Sequence, residues 1–417
     1  MKATLSLGWL LGFVSTIATA AELTYSSLAA ETAGEYQIAD QHLGAGYLRL
    51  IAQAEIALTD TLKAKAIISP CLGPYGTEPK SGTQCAQARL VEELTLSGGD
   101  SEADFTVGRQ VVTQGNTEGF VLLDRFNGRD MCRFARLDIQ NKLPNWIAKG
   151  RTFWGDNALS ITLAPLSAES EIPDPTGYCN DEFHNLGQFA QQADPGNTSI
   201  DAWAGGVEWA LNKDSWSATL NAMSTREDVF VLETIPTLNK TRPRTFWLGG
   251  SASVTLGSVV LRSEIALAPN RDFTIDPSAL PHLLSHGMAT DGTDERWNLL
   301  SVVGAELQRG DWYWALQYYD DRVESGTPLV RDAASHFASL RLRRTFENEQ
   351  IILNSFAIVD MDYRDFALRA SVSYEFNANT TLELGGTWYA DFGGAAGLFG
   401  SYDGRECVFA NLRTSFW

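Results

Sequence analysis

Five histidines, His42, His184, His282, His286 and His336, are the side chains best suited to proton transfer or metal binding near neutral pH. None stands in the Ser/His/Asp arrangement that nucleophilic hydrolysis needs. His282 and His286 are four residues apart, but in a polar stretch without a clear helical pattern, so their spacing does not by itself build a zinc site. Asp360, Asp362 and Asp365 carry oxygen ligands of the kind calcium takes, and an acidic loop tip accounts for them equally well. There is no glycine-rich phosphate cradle and no dinucleotide fingerprint. The chain is therefore expected to be no enzyme and to hold no metal or cofactor.

The five cysteines suggest bridges rather than reactive thiols, provided the compartment is oxidising. Cys71 and Cys85 flank one polar segment and would staple a single loop, while Cys132 and Cys179 fall in two further polar segments and could join them. Cys407 is then left over.

The remaining chemistry lies in charged residues that alternate with apolar ones. Arg49 and Glu55 share one face of a strand, Glu208 opposes Val207 and Trp209, and Arg262 with Glu264 oppose Leu261 and Ile265. Glu306 follows in the next alternating stretch. Arg341 and Arg343 oppose Leu340 and Leu342, and Arg369, Glu375, Glu383 and Arg413 continue the pattern. Such a set either lines water with charges of both signs or pairs across neighbouring strands and braces a wall. An unpaired set buried in a dry core would be costly. Arg109 has the parity of Phe105, Val107 and Val111, which sends it to the apolar side unless the strand bulges.

The elements that must carry these residues are strands of period two. From Trp297 to Gln308 the odd positions read Trp, Leu, Ser, Val, Ala, Leu, and the even ones include Asn298, Gly304, Glu306 and Gln308. The same split recurs from Phe366 to Phe376 and from Leu382 to Asp391. Connections alternate between tight turns, as at Gly155-Asp156, Gly257-Ser258 and Arg309-Gly310-Asp311, and long segments at about 70–86, 114–145, 166–201, 227–243, 270–294, 321–334 and 392–405. Membrane β-barrels have this asymmetry between their two rims. About seventeen strands can be counted from Gly46 onward, and an earlier one within Leu23 to Ile38 would close the ring at eighteen, with sixteen as the alternative.

The first twenty residues support an exported fate. Met1-Lys2, the apolar run Leu5 to Ile17 and the small-x-small Ala18-Thr19-Ala20 read as a signal peptide over 1–20, leaving 21–417 as the barrel. Thirty-two Lys and Arg become thirty-one without Lys2, against fifty-one Asp and Glu, so the mature charge is −20. Nucleic acid is excluded as a partner by that balance.

The terminal alternation Val408 to Trp417, ending on aromatics, resembles the C-terminal assembly signal of outer-membrane barrels, which implies the barrel-assembly machinery and outer-membrane lipid as partners. Val107-Gly108-Arg109-Gln110-Val111-Val112 with Gly115, the hairpin Trp146 to Pro165, and Gly397 to Asp403 are similar to a largely uncharacterised family of porin-like proteobacterial outer-membrane proteins that carry a Gly-Arg-Gln motif. The resemblance implies a barrel without naming a substrate.

The combined expectation is an integral outer-membrane channel for small hydrophilic solutes. Two alternatives stay open. One is a substrate-specific transporter or exporter of apolar or polymeric molecules, with Tyr313 and Tyr319 as a stacking track, and the other is a structural or adhesive barrel. The segments 114–145 and 166–201 could narrow or plug the lumen.

Overall fold

The computed structural model describes residues 22–38, 42–72, 90–131, 133, 137, 141–167, 169–171, 191–192, 202–234, 237–286, 291–346, 350–393 and 397–416. Eighteen antiparallel strands form one closed sheet. They are β1 (Glu22–Gln37), β2 (His42–Ala57), β3 (Leu62–Ile68, resuming at Cys71–Leu72), β4 (Val91–Gly99), β5 (Ala103–Gln110) and β6 (Asn145–Trp154). There follow β7 (Asn157–Ala164), β8 (Ala204–Asn212), β9 (Trp216–Arg226), β10 (Arg244–Leu256), β11 (Val259–Thr274) and β12 (Thr293–Arg309). The last six are β13 (Trp312–Val323), β14 (Ala334–Phe346), β15 (Ile351–Asp360), β16 (Asp365–Asn377), β17 (Thr380–Asp391) and β18 (Cys407–Ser415). Each pairs with the next, and β1 pairs with β18 from Ala29↔Ser415 to Gln37↔Cys407, so the ring has no free edge.

Alternation decides which face is which. On β12, Arg296, Asn298, Leu300, Val302 and Glu306 are buried, while Trp297 and Val303 between them are exposed. On β13, Trp314, Leu316 and Tyr318 are exposed and Ala315 and Gln317 are buried. The exposed apolar set continues around the ring, through Leu220, Ile265, Val372 and Leu384 among others. A surface this apolar is far larger than the patches water tolerates, and it fits the hydrocarbon of a bilayer. Tryptophans mark both edges of the band: Trp146, Trp203, Trp297 and Trp388 toward the rim of long connections, Trp154, Trp209, Trp216 and Trp314 toward the rim of turns.

The turn rim is built from local chemistry. Gly155, Gly257 and Gly310 take φ of +58°, +63° and +57° at the first of two turn residues, as a type II′ hairpin requires. Where the turn is longer, Asp100 Oδ1 accepts from the amides of Glu102 and Ala103, and those two bonds hold its carboxyl below the usual carboxylate range. Both described chain ends lie at this rim.

The sequence-based boundaries need two corrections. β2 starts at His42 rather than Gly46. β11 and β12 run to Thr274 and from Thr293, well into the stretch read as a connection from 270 to 294. A register shift between Ala268 and Arg271 moves the inward parity from even to odd residues, which hides the strand from a strict alternation count. A short helix, α1 (Leu280–Ser285), sits in that connection with His282 within it and His286 at its C-cap, their rings stacked at 4.4 Å.

Candidate functional site: a lumen crossed by an inward segment

The segment after β5 leaves the wall and folds into the barrel. Its launch point is the Gly-Arg-Gln motif. A Cβ at Gly108, where φ is +139°, would overlap the Leu94 carbonyl of β4, so only glycine lets the two strands approach here. Arg109 has an unbroken register with Leu94 and Trp146, which puts it on the outer parity, and its Nε donates to the Val91 carbonyl at 2.8 Å. Gln110 Nε2 donates to the Ile147 carbonyl. The Asn127 side chain then closes the base of the segment, accepting from the Val112 amide at 2.9 Å and donating to the carbonyls of Gln110 and Leu143.

One carboxylate holds the tip. Glu264, inward on β11 and 2% exposed, accepts at Oε1 from the amides of Asn116 (2.6 Å) and Thr117 (2.8 Å) and at Oε2 from the amide of Leu122 (2.9 Å). The Thr117 hydroxyl lies 2.7 Å from the same Oε1. A Cβ at Gly115 would occupy the carboxylate's place, and Gly115 has φ of +89°. Glu264 is five residues above the turn at Gly257-Ser258, so the segment reaches deep into the lumen. Beyond it, Glu118 pairs with Arg341 of β14, and Phe120 stacks on Tyr319 of β13 at 5.0 Å.

Apolar packing backs these polar ties. Val112, Leu122, Leu123 and Phe126 form one cluster with Ile147, Ala164, Ala204, Met223, Trp247, Ala266 and Val302, which are inward residues of β6 to β12. Leu137 packs against Ile358, Ala367 and Tyr389 on β15 to β17 and against Phe399 and Tyr402 of the last connection. That connection is pinned by the amides of Phe399 and Gly400 donating to Asp365 Oδ2 at 3.0 and 2.6 Å, which accounts for the Gly397 to Asp403 stretch singled out in the sequence.

Above the tip the inward segment meets the connection between β9 and β10 through ions. The Arg125 guanidinium lies 4.2 Å over the Trp247 ring, Arg271 lies 5.5 Å over the same ring, and Arg271 Nη2 donates to Glu227 at 3.0 Å. Burial would raise the pKa of Asp228 in that connection. The charges of Arg129, Arg125 and Arg271 and the Ser170 hydroxyl outweigh it and hold the carboxyl below the usual range.

The register places all twelve sequence-selected charges on the inward parity, and they divide into two kinds. Arg262 pairs with Glu306 at 2.5 Å and Glu55 with Lys63 at 3.1 Å across neighbouring wall strands, while Arg49 of β2 reaches past β3 to Glu92 of β4 at 2.5 Å. Glu264 and Arg341 hold the inward segment, and the Arg369 guanidinium stacks on Phe409 at 3.9 Å. Glu208, Arg343, Glu375, Glu383 and Arg413 form no ion pair among the described residues. The last four lie within a few residues of the turn rim, on β14 and β16 to β18, below the level of the inward segment.

Several residues of the site escaped sequence reading: Glu31 and Glu35 on β1, Asn127, Trp247, Arg125 and Gln317. Inward parity would have found Glu31 and Glu35, whereas nothing local distinguishes Trp247 from the girdle tryptophans. Tyr313 and Tyr319 are inward, and Trp312 and Trp314 outward. Tyr319 is covered by Phe120 and Phe337, so the two tyrosines do not form an open stacking track. Cys71 is disulfide-bonded and Cys407 is a buried thiol; the pairings expected of Cys85, Cys132 and Cys179 lie outside the described residues, as do most of 166–201 and His184.

No family model matches the chain, and no curated protein matches it in sequence. Solved structures do match it over nearly its whole length. The chain is similar to the outer membrane protein opdK from Pseudomonas aeruginosa, with a TM-score of 0.53, 9% identity, and coverage of 94% of this chain and 98% of that one. It is equally similar to OccAB3 of Acinetobacter baumannii (0.53, 9%, 94% and 98%), and OccAB4 of the same organism follows (0.50, 11%, 94% and 98%). At such identities the likeness is one of fold. Together with the apolar exterior, the two aromatic rings and the closed ring of eighteen strands, it makes this chain an integral β-barrel of the outer-membrane, porin-like type.

Proposed function

We propose that the barrel is a passive channel for small hydrophilic solutes, narrowed at mid-depth by its inward segment. The observation that carries this reading is an inward segment tied to the wall above exposed, inward-facing charges of both signs. Glu264 and Arg341 tie the segment to β11 and β14, while Arg343 and Arg413 remain exposed and Glu375 and Glu383 partly so. Charges of both signs facing water order that water and polar solutes without binding either tightly, which suits diffusion rather than catalysis or capture. No step of bond making is assigned to the protein.

Liposome swelling with neutral sugars of graded size tests this. Uptake that falls steeply with solute size is expected; equal exclusion of all sugars, by a barrel shown to be folded, would contradict it. The sequence alternative of an apolar or polymeric cargo receives no support from the tyrosines that motivated it, because Tyr319 is already occupied.

A further inference from the structure

On the lipid-facing wall at the turn rim, three strands bring together one lateral row of side chains. Arg309 of β12 stands opposite Trp312 of β13, and Trp312 stands opposite Arg344 of β14. All three have the outward parity of Leu307, Trp314 and Leu342 in the row above, and Trp314 is exposed. The Arg344 guanidinium is held between two rings, 4.7 Å over Trp312 and 4.2 Å over Phe346. Trp312 in turn stacks on Trp314 at 5.4 Å.

Both cations lack an acidic partner. Neither Arg309 nor Arg344 forms an ion pair or hydrogen bond among the described residues, and Arg344 Nε is buried without an acceptor. Some exposed arginines of the wall find carboxylates, as Arg151 does with Asp104 and Arg322 with Asp320, and others, Arg343 and Arg413, face the lumen without an ion pair. An arginine fixed between aromatic rings keeps its N–H edge aimed outward at little entropic cost, and its planar fork matches two oxygens of a phosphate. The height is that of the aromatic band on the turn side, where headgroups of the periplasmic leaflet lie.

From this geometry we infer that Arg309, Trp312 and Arg344 form a binding site for the phosphodiester headgroup of a glycerophospholipid in the periplasmic leaflet. The two guanidinia take the phosphate from either side of the indole, and the acyl chains lie along Trp314, Leu307 and Leu342. The lipid committed to here is a membrane phospholipid rather than free phosphate, because an apolar wall continues from the site only toward the bilayer interior.

The test is native mass spectrometry of the folded barrel, delipidated and titrated with phosphatidylglycerol, alongside diacylglycerol and inorganic phosphate. The wild-type barrel is expected to retain one phosphatidylglycerol more tightly than any further copy. Arg309→Gln/Arg344→Gln should weaken that adduct by about thirtyfold, with two basic side chains lost at the surface. Diacylglycerol and inorganic phosphate should give no such adduct. Arg309→Lys/Arg344→Lys, which keeps charge and loses the fork, should fall between the two. Heat-modified gel mobility checks that every variant is folded. Equal retention by the wild type and the glutamine variant, or equal retention of diacylglycerol, would overturn the site.

Discussion

Glu264 ties the inward segment to the barrel wall through both of its carboxylate oxygens. Its buried carboxylate accepts from three backbone amides of the inward segment and so ties that segment to the wall at three points. Substituting Glu264→Ala orphans the amides and is expected to cost the docked segment about 2–4 kcal/mol. The expected readout is a larger and noisier single-channel conductance from a barrel that still folds, and an unchanged conductance would show that the apolar cluster alone holds the segment. Glu118→Gln should do less, about 0.5 kcal/mol, because its pair with Arg341 is part-exposed and screened. Arg343 and Arg413 are expected to act on selectivity instead. Arg343→Gln/Arg413→Gln removes two unpaired lumen cations, so the reversal potential in a salt gradient should move toward cation preference without loss of folding.

Among the elements, β5 with its inward continuation separates what is legible in a sequence from what is not. The strand itself was readable, and so was the oddity of Arg109, whose outward parity the unbroken register now fixes. The glycine before it carried a signal with no visible cause. Only the fold shows the Leu94 carbonyl lying where a Cβ would sit. Gly108→Ala should therefore lower the barrel's resistance to thermal or denaturant unfolding, by about 1–3 kcal/mol. Gly34→Ala on β1, which meets nothing within 4 Å, should be neutral on the same gel-shift assay. Equal behaviour of the two variants would remove the close approach as the reason for the motif. The course of the inward segment could not be read because its ties span the chain. Thr117 and Glu264 are 147 residues apart, and Glu118 and Arg341 are 223 apart. No local periodicity encodes such contacts. The β11–β12 extension was missed for a different reason, since a one-residue slip between Ala268 and Arg271 inverts the pattern partway along a strand.

At the scale of the whole molecule, the eighteen strands followed from alternation and connection lengths because bilayer and lumen impose period two on every strand alike. Charge is organised by height. Carboxylates such as Asp272, Asp294, Asp320, Asp321, Asp362 and Asp391 gather at the rim of long connections, where Arg296, Arg322 and Arg331 pair with Asp294, Asp320 and Asp321, while the unpaired charges of both signs lie toward the opposite end of the lumen. The most direct test of the account is single-channel recording of the refolded barrel in a planar bilayer at neutral pH. Stepwise insertions with a stable, ohmic ion conductance are the result it predicts. Correctly folded barrels that insert and pass no current would contradict it, because the inward segment would then be a plug and not a constriction.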